Sequence, residues 1–157
     1  MFSSAREMFE AAREAARDAA RISCQLDGME RRALALGGGG FEPRIRSTHD
    51  PDRIGRSVAA LVDHEDVLLQ RQDADYALID AACEVLYGHD NRSGLYALVG
   101  WPADAIYHHY LALRTWSEVG AMMGYSEQHV RRAVVSAFDI ADANGQMWTE
   151  LGIGLAT

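Results

Sequence analysis

The fold is decided by residues 115–144, which read TWSEVGAMMGYSEQHVRRAVVSAFDIADAN. Thr115 and Glu118 have the spacing of a capping box, which predicts that a helix begins directly after Thr115. Gly124 predicts the end of that helix, because glycine readily adopts the left-handed conformation that closes a helix. Ser126 then has the position and chemistry of the N-cap of a second helix. The stretch therefore predicts two capped helices joined by a tight turn.

The second of these helices is amphipathic. Its predicted buried face comprises Val130, Ala133, Val134, Ala137 and Ile140. In the first helix, Val119 and Met122 or Met123 should face the core, and Tyr125 should pack ahead of the second helix as a hydrophobic staple. Two helices with this connection define a helix-turn-helix, whose second helix enters the major groove of DNA. Its exposed first turns carry Glu127, Gln128, His129, Arg131 and Arg132.

The N-terminal half contains two long helical patterns. Residues 4–36 place apolar side chains at gaps of three and four, with Ser3 or Ser4 as N-cap and Glu7 completing a capping box. Four glycines at 37–40 should stop this helix, and 41–50 form a linker that contains Arg44 and Arg46. A second helical pattern runs from 51 to 87.

Two helices of similar length joined by a short linker predict an antiparallel hairpin. The apolar stripes along these helices could instead pack against a second copy of the chain and close a dimer. Glu65, Gln72 and Asp75 interrupt the second stripe, so the middle of the seam should be splayed or wet. The turn-rich sequence GHDNRSG at 88–94 marks a boundary, an apolar connector follows to Pro102, and a short helix is expected from Asp104 to Leu113.

We therefore predict an all-α fold with three parts. A helical hairpin for interaction or dimerisation occupies residues 1–88, a small helix-turn-helix domain occupies 95–145, and a tail occupies 146–157.

Composition limits the function classes. The 157 residues are 48% hydrophobic and carry a net charge of −8, and all 15 positive residues are arginines. An acidic chain is repelled by DNA at long range, so DNA binding would depend on a local patch or a partner. No Ser/Cys–His or paired-carboxylate arrangement is identifiable, so we expect no enzyme, and we expect no metal or cofactor. No apolar run approaches 18 residues, so we expect a cytoplasmic chain without a membrane span.

A resemblance extends over residues 104–143, and best over YHHYLALRTWSEVGAMMGYSEQHVRRAVVSA. This segment resembles phage transcription regulators of the RinA and ArpU type and is similar to region 4 of bacterial sigma factors. The match lies in Tyr110-Leu111, in Trp116-Ser117-Glu118, in Gly124-Tyr125-Ser126 and at Val130 and Arg132. By position it implies that DNA is contacted by Ser126, Glu127, Gln128, His129, Arg131 and Arg132.

The resemblance implies a regulator that binds double-stranded promoter DNA. One short, weakly basic helix buries too little surface to bind tightly alone, so we expect help from RNA polymerase or from a homodimer through the N-terminal helices. Two alternatives stay open. The first is a phage protein that acts by protein–protein contact, such as an anti-CRISPR factor or another inhibitor of a host enzyme, which suits the acidic charge. The second is a DNA-packaging component of the small-terminase kind.

Overall fold

The computed structural model describes residues 2–37, 51–89 and 93–145, and all of its regular elements in these ranges are helices. The helices are α1 (Ala5–Gly37), α2 (Pro51–Tyr87), α3 (Gly94–Val99), α4 (Trp101–Ile106), α5 (Trp116–Met123) and α6 (Glu127–Ala143). A π-helical segment, Tyr107–Leu111, continues α4. The predicted all-α class is confirmed. The linker 41–50, the glycines that follow Gly37 and the tail 146–157 lie outside the described residues.

The start of α1 follows the sequence signal. The Ser4 hydroxyl accepts a hydrogen bond from the Glu7 amide at 3.2 Å, and the Glu7 carboxylate accepts one from the Ser3 amide at 2.7 Å. These bonds satisfy amide groups that have no partner inside the first turn of a helix. The helix then continues through Gly28, as its apolar period requires. Within the described ranges, no helix is both long and apolar enough to cross a membrane.

The prediction of a non-helical connector before Pro102 is wrong, because the segment from Gly94 to Pro102 is largely helical. Residues Gly94–Val99 form α3, and α4 begins at Trp101 rather than at Asp104. Pro102 lies in the first turn of α4, where the missing N–H of proline has no intrahelical partner to lose. Gly100 therefore separates the short helices α3 and α4, and Pro102 belongs to the first turn of α4 instead of ending a loop.

The chain divides into two compact units. We call the first the HTH unit; it contains the residues up to Asp18 and those from Asp75 onward. We call the second the hairpin unit; it runs from Ala19 to Ala74. The division cuts across α1 and α2 instead of falling in the turn at 88–94. The ranges 1–88 and 95–145, as independently folding domains, stay predictions.

The core of the HTH unit joins the first turns of α1 to the helices of the C-terminal half. Phe9 is fully buried and stacks on Phe138 of α6, with ring centroids 5.7 Å apart. Tyr110 completes the aromatic cluster, 6.1 Å from Phe9 and 5.7 Å from Phe138. The remaining buried members come from every helix of the unit: Ala5, Met8, Ala12, Ala82, Val85, Leu86, Leu95, Ala103, Ala105, Ile106, Val119, Val130, Val134, Ala137 and Ala141.

The hairpin unit pairs α1 and α2 through a seam that is partly polar. The Gln72 side-chain amide donates to the Ser23 hydroxyl at 2.7 Å and to the Ala19 carbonyl at 3.4 Å. Ala19, Ile22 and Leu68 are the buried apolar residues in its described part. Within the HTH unit, the end of α2 packs on the start of α1, so the two helices run antiparallel as the hairpin prediction requires. Whether this surface also closes a homodimer stays a prediction.

Candidate nucleic-acid interface

The connection between α5 and α6 has the predicted geometry. The Thr115 hydroxyl accepts from the Glu118 amide at 3.3 Å, and the Glu118 carboxylate accepts from the Thr115 amide at 2.7 Å. Gly124 closes α5 in the left-handed conformation, with φ at 74°. A Cβ at Gly120 would lie 2.8 Å from the Tyr125 carbonyl oxygen, so glycine allows the turn to fold tightly against α5.

The buried face of α6 is rotated from its predicted position. Val130, Val134 and Ala137 are buried as expected, but Ile140 is 39% exposed. Phe138 and Ala141 occupy the core instead, because the α1 side of the unit supplies aromatic contacts that the α6 sequence does not reveal. In α5, Val119 is buried as expected, Met123 is half-buried and Met122 is exposed.

Tyr125 is 45% exposed and does not close over the core as the predicted staple. Its ring stacks on Trp101 at 4.6 Å between centroids, and the same indole lies 5.7 Å from the ring of His129. Tyr125 and His129 are 5.0 Å apart. Trp101 is half-buried and supports the turn from the side.

All six residues implied as DNA contacts are exposed on the turn and on the first turns of α6. Four of them already have intramolecular roles. The Ser126 hydroxyl caps α6 by accepting from the His129 amide at 3.3 Å, and His129 belongs to the aromatic stack. Glu127 forms an ion pair with Arg131 at 2.6 Å. Their spacing of four residues was the sequence signal for this pair.

Gln128 and Arg132 differ from the other four. Both side chains are exposed, and within the described ranges neither makes an ion pair or a side-chain hydrogen bond. Together with Arg131, Val135 and Ser136 they line one shallow groove on the outside of α6. Val135 and Ser136 were not among the residues predicted from the sequence. Their spacing of three and four residues from Arg132 was the available signal.

A buried histidine joins α1 to this helix pair. His109 is 5% exposed, and its Nε2 atom is hydrogen-bonded to the guanidinium of Arg13. Because a guanidinium only donates, Nε2 accepts and Nδ1 carries the proton. The Nδ1–H group then donates to the Arg114 carbonyl at 2.8 Å, in the segment that leads into α5.

The same histidine belongs to a stack of side chains that ends at α6. The imidazole lies on the Trp116 indole, with centroids 3.6 Å apart and planes at 17°. The Arg131 guanidinium carbon lies 5.7 Å from the centre of that indole. Arg131 is therefore held by both Glu127 and Trp116, and its freedom to reach outward is reduced.

Burial and the positive charge of Arg13 lower the pKa of His109 to about 4. The charges of Arg131 and Arg17 contribute to this lowering of the pKa, whereas the bond to Arg114 acts in the opposite direction. His109 is therefore neutral at physiological pH, as its acceptor role requires.

The start of α1 contacts α6 directly. An Asp142 carboxylate oxygen accepts from the Ala5 amide at 2.6 Å, and the Arg6 guanidinium lies 6.0 Å from the centre of the Phe138 ring. An acceptor at a helix N-terminus is favoured because the amide groups there are unpaired and carry partial positive charge. The first turns of α1 therefore help to fix the orientation of α6.

Within the described ranges, no group of three His, Cys, Asp or Glu side chains has the arrangement of a metal site. Comparisons of the chain with protein-family models, curated proteins and solved structures find no match. The resemblance to phage regulators and to sigma-factor region 4 thus stays a prediction based on the motif residues alone.

Proposed function

We propose that this chain is a phage-type transcription regulator that binds promoter DNA through α6. The observation that carries the proposal is the pair Gln128 and Arg132, exposed on the outside of a doubly capped helix-turn-helix and unengaged within the described ranges. An amide side chain suits adenine and a guanidinium suits guanine, each through two hydrogen bonds in the major groove. The caps and the core behind α6 hold the helix that carries both groups in place before DNA arrives.

Charge indicates that the chain binds with help. Residues 101–157 contain three arginines against six Asp and Glu, and Glu127 neutralises one of those arginines. Contacts to phosphates supply most of the non-specific affinity for DNA. A helix-turn-helix with little positive charge therefore binds DNA weakly on its own. RNA polymerase or a second copy of the chain would add the missing contacts.

The test begins with selection of duplexes from a randomised pool, with and without RNA polymerase. Binding of the enriched duplex is then measured by fluorescence anisotropy at several salt concentrations. Arg132→Ala should lose roughly 1–3 kcal/mol of binding free energy, the usual worth of a specific base contact. Arg131→Ala should cost less, because Arg131 is already held by Glu127 and Trp116.

Arg31→Ala is the matched control, because Arg31 is an exposed arginine of α1 and its loss changes the net charge equally. All three variants should keep the thermal midpoint of the wild type, since surface substitutions change stability by about 0.5 kcal/mol or less. If Arg132→Ala binds as well as Arg31→Ala, α6 does not read the DNA. If the wild type enriches no duplex under any condition, the proposal fails.

A specific observation also supports protein binding as a second candidate. Residues 62–74 contain four acidic residues and one arginine, and they expose three apolar side chains, Val62, Val67 and Leu69. Such a surface suits a basic surface on a host enzyme that acts on nucleic acid. Inhibition of a polymerase or nuclease by a chain that binds no duplex would favour this candidate. A large oligomer in light scattering that forms rings in electron micrographs would favour the packaging alternative.

A further inference from the structure

We infer that α6 reads a thymine through Val135, next to the base contacted by Arg132. This inference rests on the proposed function and specifies which base chemistry the helix recognises. It starts from a row of residues that we call the outer line of α6: Gln128, Arg132, Val135 and Asp139. Steps of four, three and four residues keep these positions on one face of a helix.

The outer line lies opposite the core. Val130, Val134, Ala137, Phe138 and Ala141 are buried on the other side of α6, whereas every member of the outer line is exposed. Arg131 lies at the edge between the two faces, bound to Glu127 at 2.6 Å and near the Trp116 ring. The residues that point farthest from the protein are therefore those of the outer line.

Val135 is the one apolar member of this row. Its side chain is 43% exposed in the groove that Gln128, Arg131, Arg132 and Ser136 line. A single exposed valine needs no explanation by itself. Here it lies one turn beyond Arg132 on the outer line, so a helix docked by Arg132 would bring it to a base edge. Thymine is the base whose major-groove edge carries a methyl group, and an apolar side chain gains by covering that methyl.

Asp139 limits how far the helix reaches. It continues the outer line one turn after Val135 and carries a negative charge that phosphates repel. The part of α6 that can approach DNA closely therefore ends near Val135, and the last reading position is apolar. With a rise of about 1.5 Å per residue, Gln128 and Val135 lie about 10 Å apart along the helix. At about 3.4 Å per base pair, the thymine should lie within about three base pairs of the base read by Gln128.

The experiment replaces each thymine of the selected duplex, one at a time, with deoxyuridine, which lacks only the C5 methyl. Anisotropy titrations are run with the wild type, Val135→Ala, and Leu98→Ala. The Leu98 variant is the matched control, because it truncates an aliphatic side chain of similar exposure, 46%, in α3. For the wild type and for Leu98→Ala we expect one thymine whose replacement weakens binding about three- to tenfold. For Val135→Ala we expect that sensitivity to disappear.

The outcomes separate this inference from the proposed function. A specific duplex whose binding responds to no single thymine methyl would overturn the inference and leave DNA binding intact. The same would follow if Val135→Ala kept the full response at that thymine. A wild type that selects no duplex would overturn the proposed function, and the inference would fall with it. Circular dichroism melts of all three proteins show whether a lost response reflects misfolding.

Discussion

The HTH unit and the hairpin unit share the two long helices α1 and α2, yet they bury side chains in different ways. In the HTH unit, the first turns of α1 contribute Phe9 to an aromatic cluster. The first backbone amide of α1 donates a hydrogen bond to Asp142. In the hairpin unit, the seam includes the polar Gln72, and Leu34 of α1 remains 68% exposed. One helix thus serves as core in its first turns and as a lightly packed surface farther along. The difference indicates that stability is concentrated in the unit that positions α6.

The largest expected effect is a loss of stability in the HTH unit, and it tests whether stability is concentrated there. Phe9→Ala should lower the free energy of unfolding of the HTH unit by roughly 3–5 kcal/mol, the usual cost of removing a buried phenylalanine. Leu34→Ala, in the same helix, should change stability by about 0.5 kcal/mol or less, because its side chain is exposed. Chemical denaturation is followed by far-UV circular dichroism, which reports the helices of both units, and by tryptophan fluorescence, which reports the HTH unit because Trp101 and Trp116 belong to it.

The Phe9 variant also distinguishes the two divisions of the chain. If residues 1–88 folded separately from 95–145, Phe9→Ala would leave the unfolding of the helix-turn-helix unchanged. The contacts of Phe9 with Tyr110 and Phe138 predict the opposite result. Equal, small effects of Phe9→Ala and Leu34→Ala would show that α1 contributes little to the unit.

The sequence predicted what depends on neighbouring residues. The N-cap at Ser4, the capping box at Thr115, the turn at Gly124 and the cap at Ser126 were all predicted, because each depends on chemistry within about four residues. The exposure of the six candidate DNA contacts followed from the same local periodicity.

Long-range packing was not predictable in the same way. The stack of Phe9 on Phe138 joins residues 129 positions apart, and no local pattern encodes such a pairing. That stack moved Phe138 and Ala141 into the core and left Ile140 exposed, so the predicted phase of α6 was correct only in its first half. Similarly, the link from Arg13 through His109 to Trp116 brings three separate segments together.

The second largest expected effect is a dependence of stability on pH, and it arises from His109 in the link between Arg13 and Trp116. The pKa of His109 is about 4 in the folded chain, against about 6.5 for an ordinary histidine. Between these two values the unfolded chain binds a proton that the folded chain does not. The free energy of unfolding therefore falls as the pH falls from about 6.5 to 4, by about 3 kcal/mol in total for this residue.

Denaturation midpoints measured from pH 7.5 to 4 should show this slope in the wild type. His109→Gln should be less stable at neutral pH, yet it should lose little further stability across that window from this position. His108→Gln is the matched control at the adjacent, half-buried histidine, and it should retain the wild-type slope. If the two variants show the same dependence on pH, His109 is not the group that titrates.

The smallest effect concerns the hairpin unit, where Gln72 bridges Ser23 and Ala19. Gln72→Ala should cost about 0.5–1.5 kcal/mol, the net worth of a typical hydrogen bond, whereas Gln70→Ala should cost less because Gln70 is exposed on the same helix. Gln72→Leu combined with Ser23→Ala removes both partners and supplies apolar contact, so it should be neutral or stabilising. Native-state hydrogen exchange of the α1 and α2 amides measures these changes within the hairpin unit. A double variant less stable than Gln72→Ala would show that the polar bridge, and not apolar contact, holds this seam together.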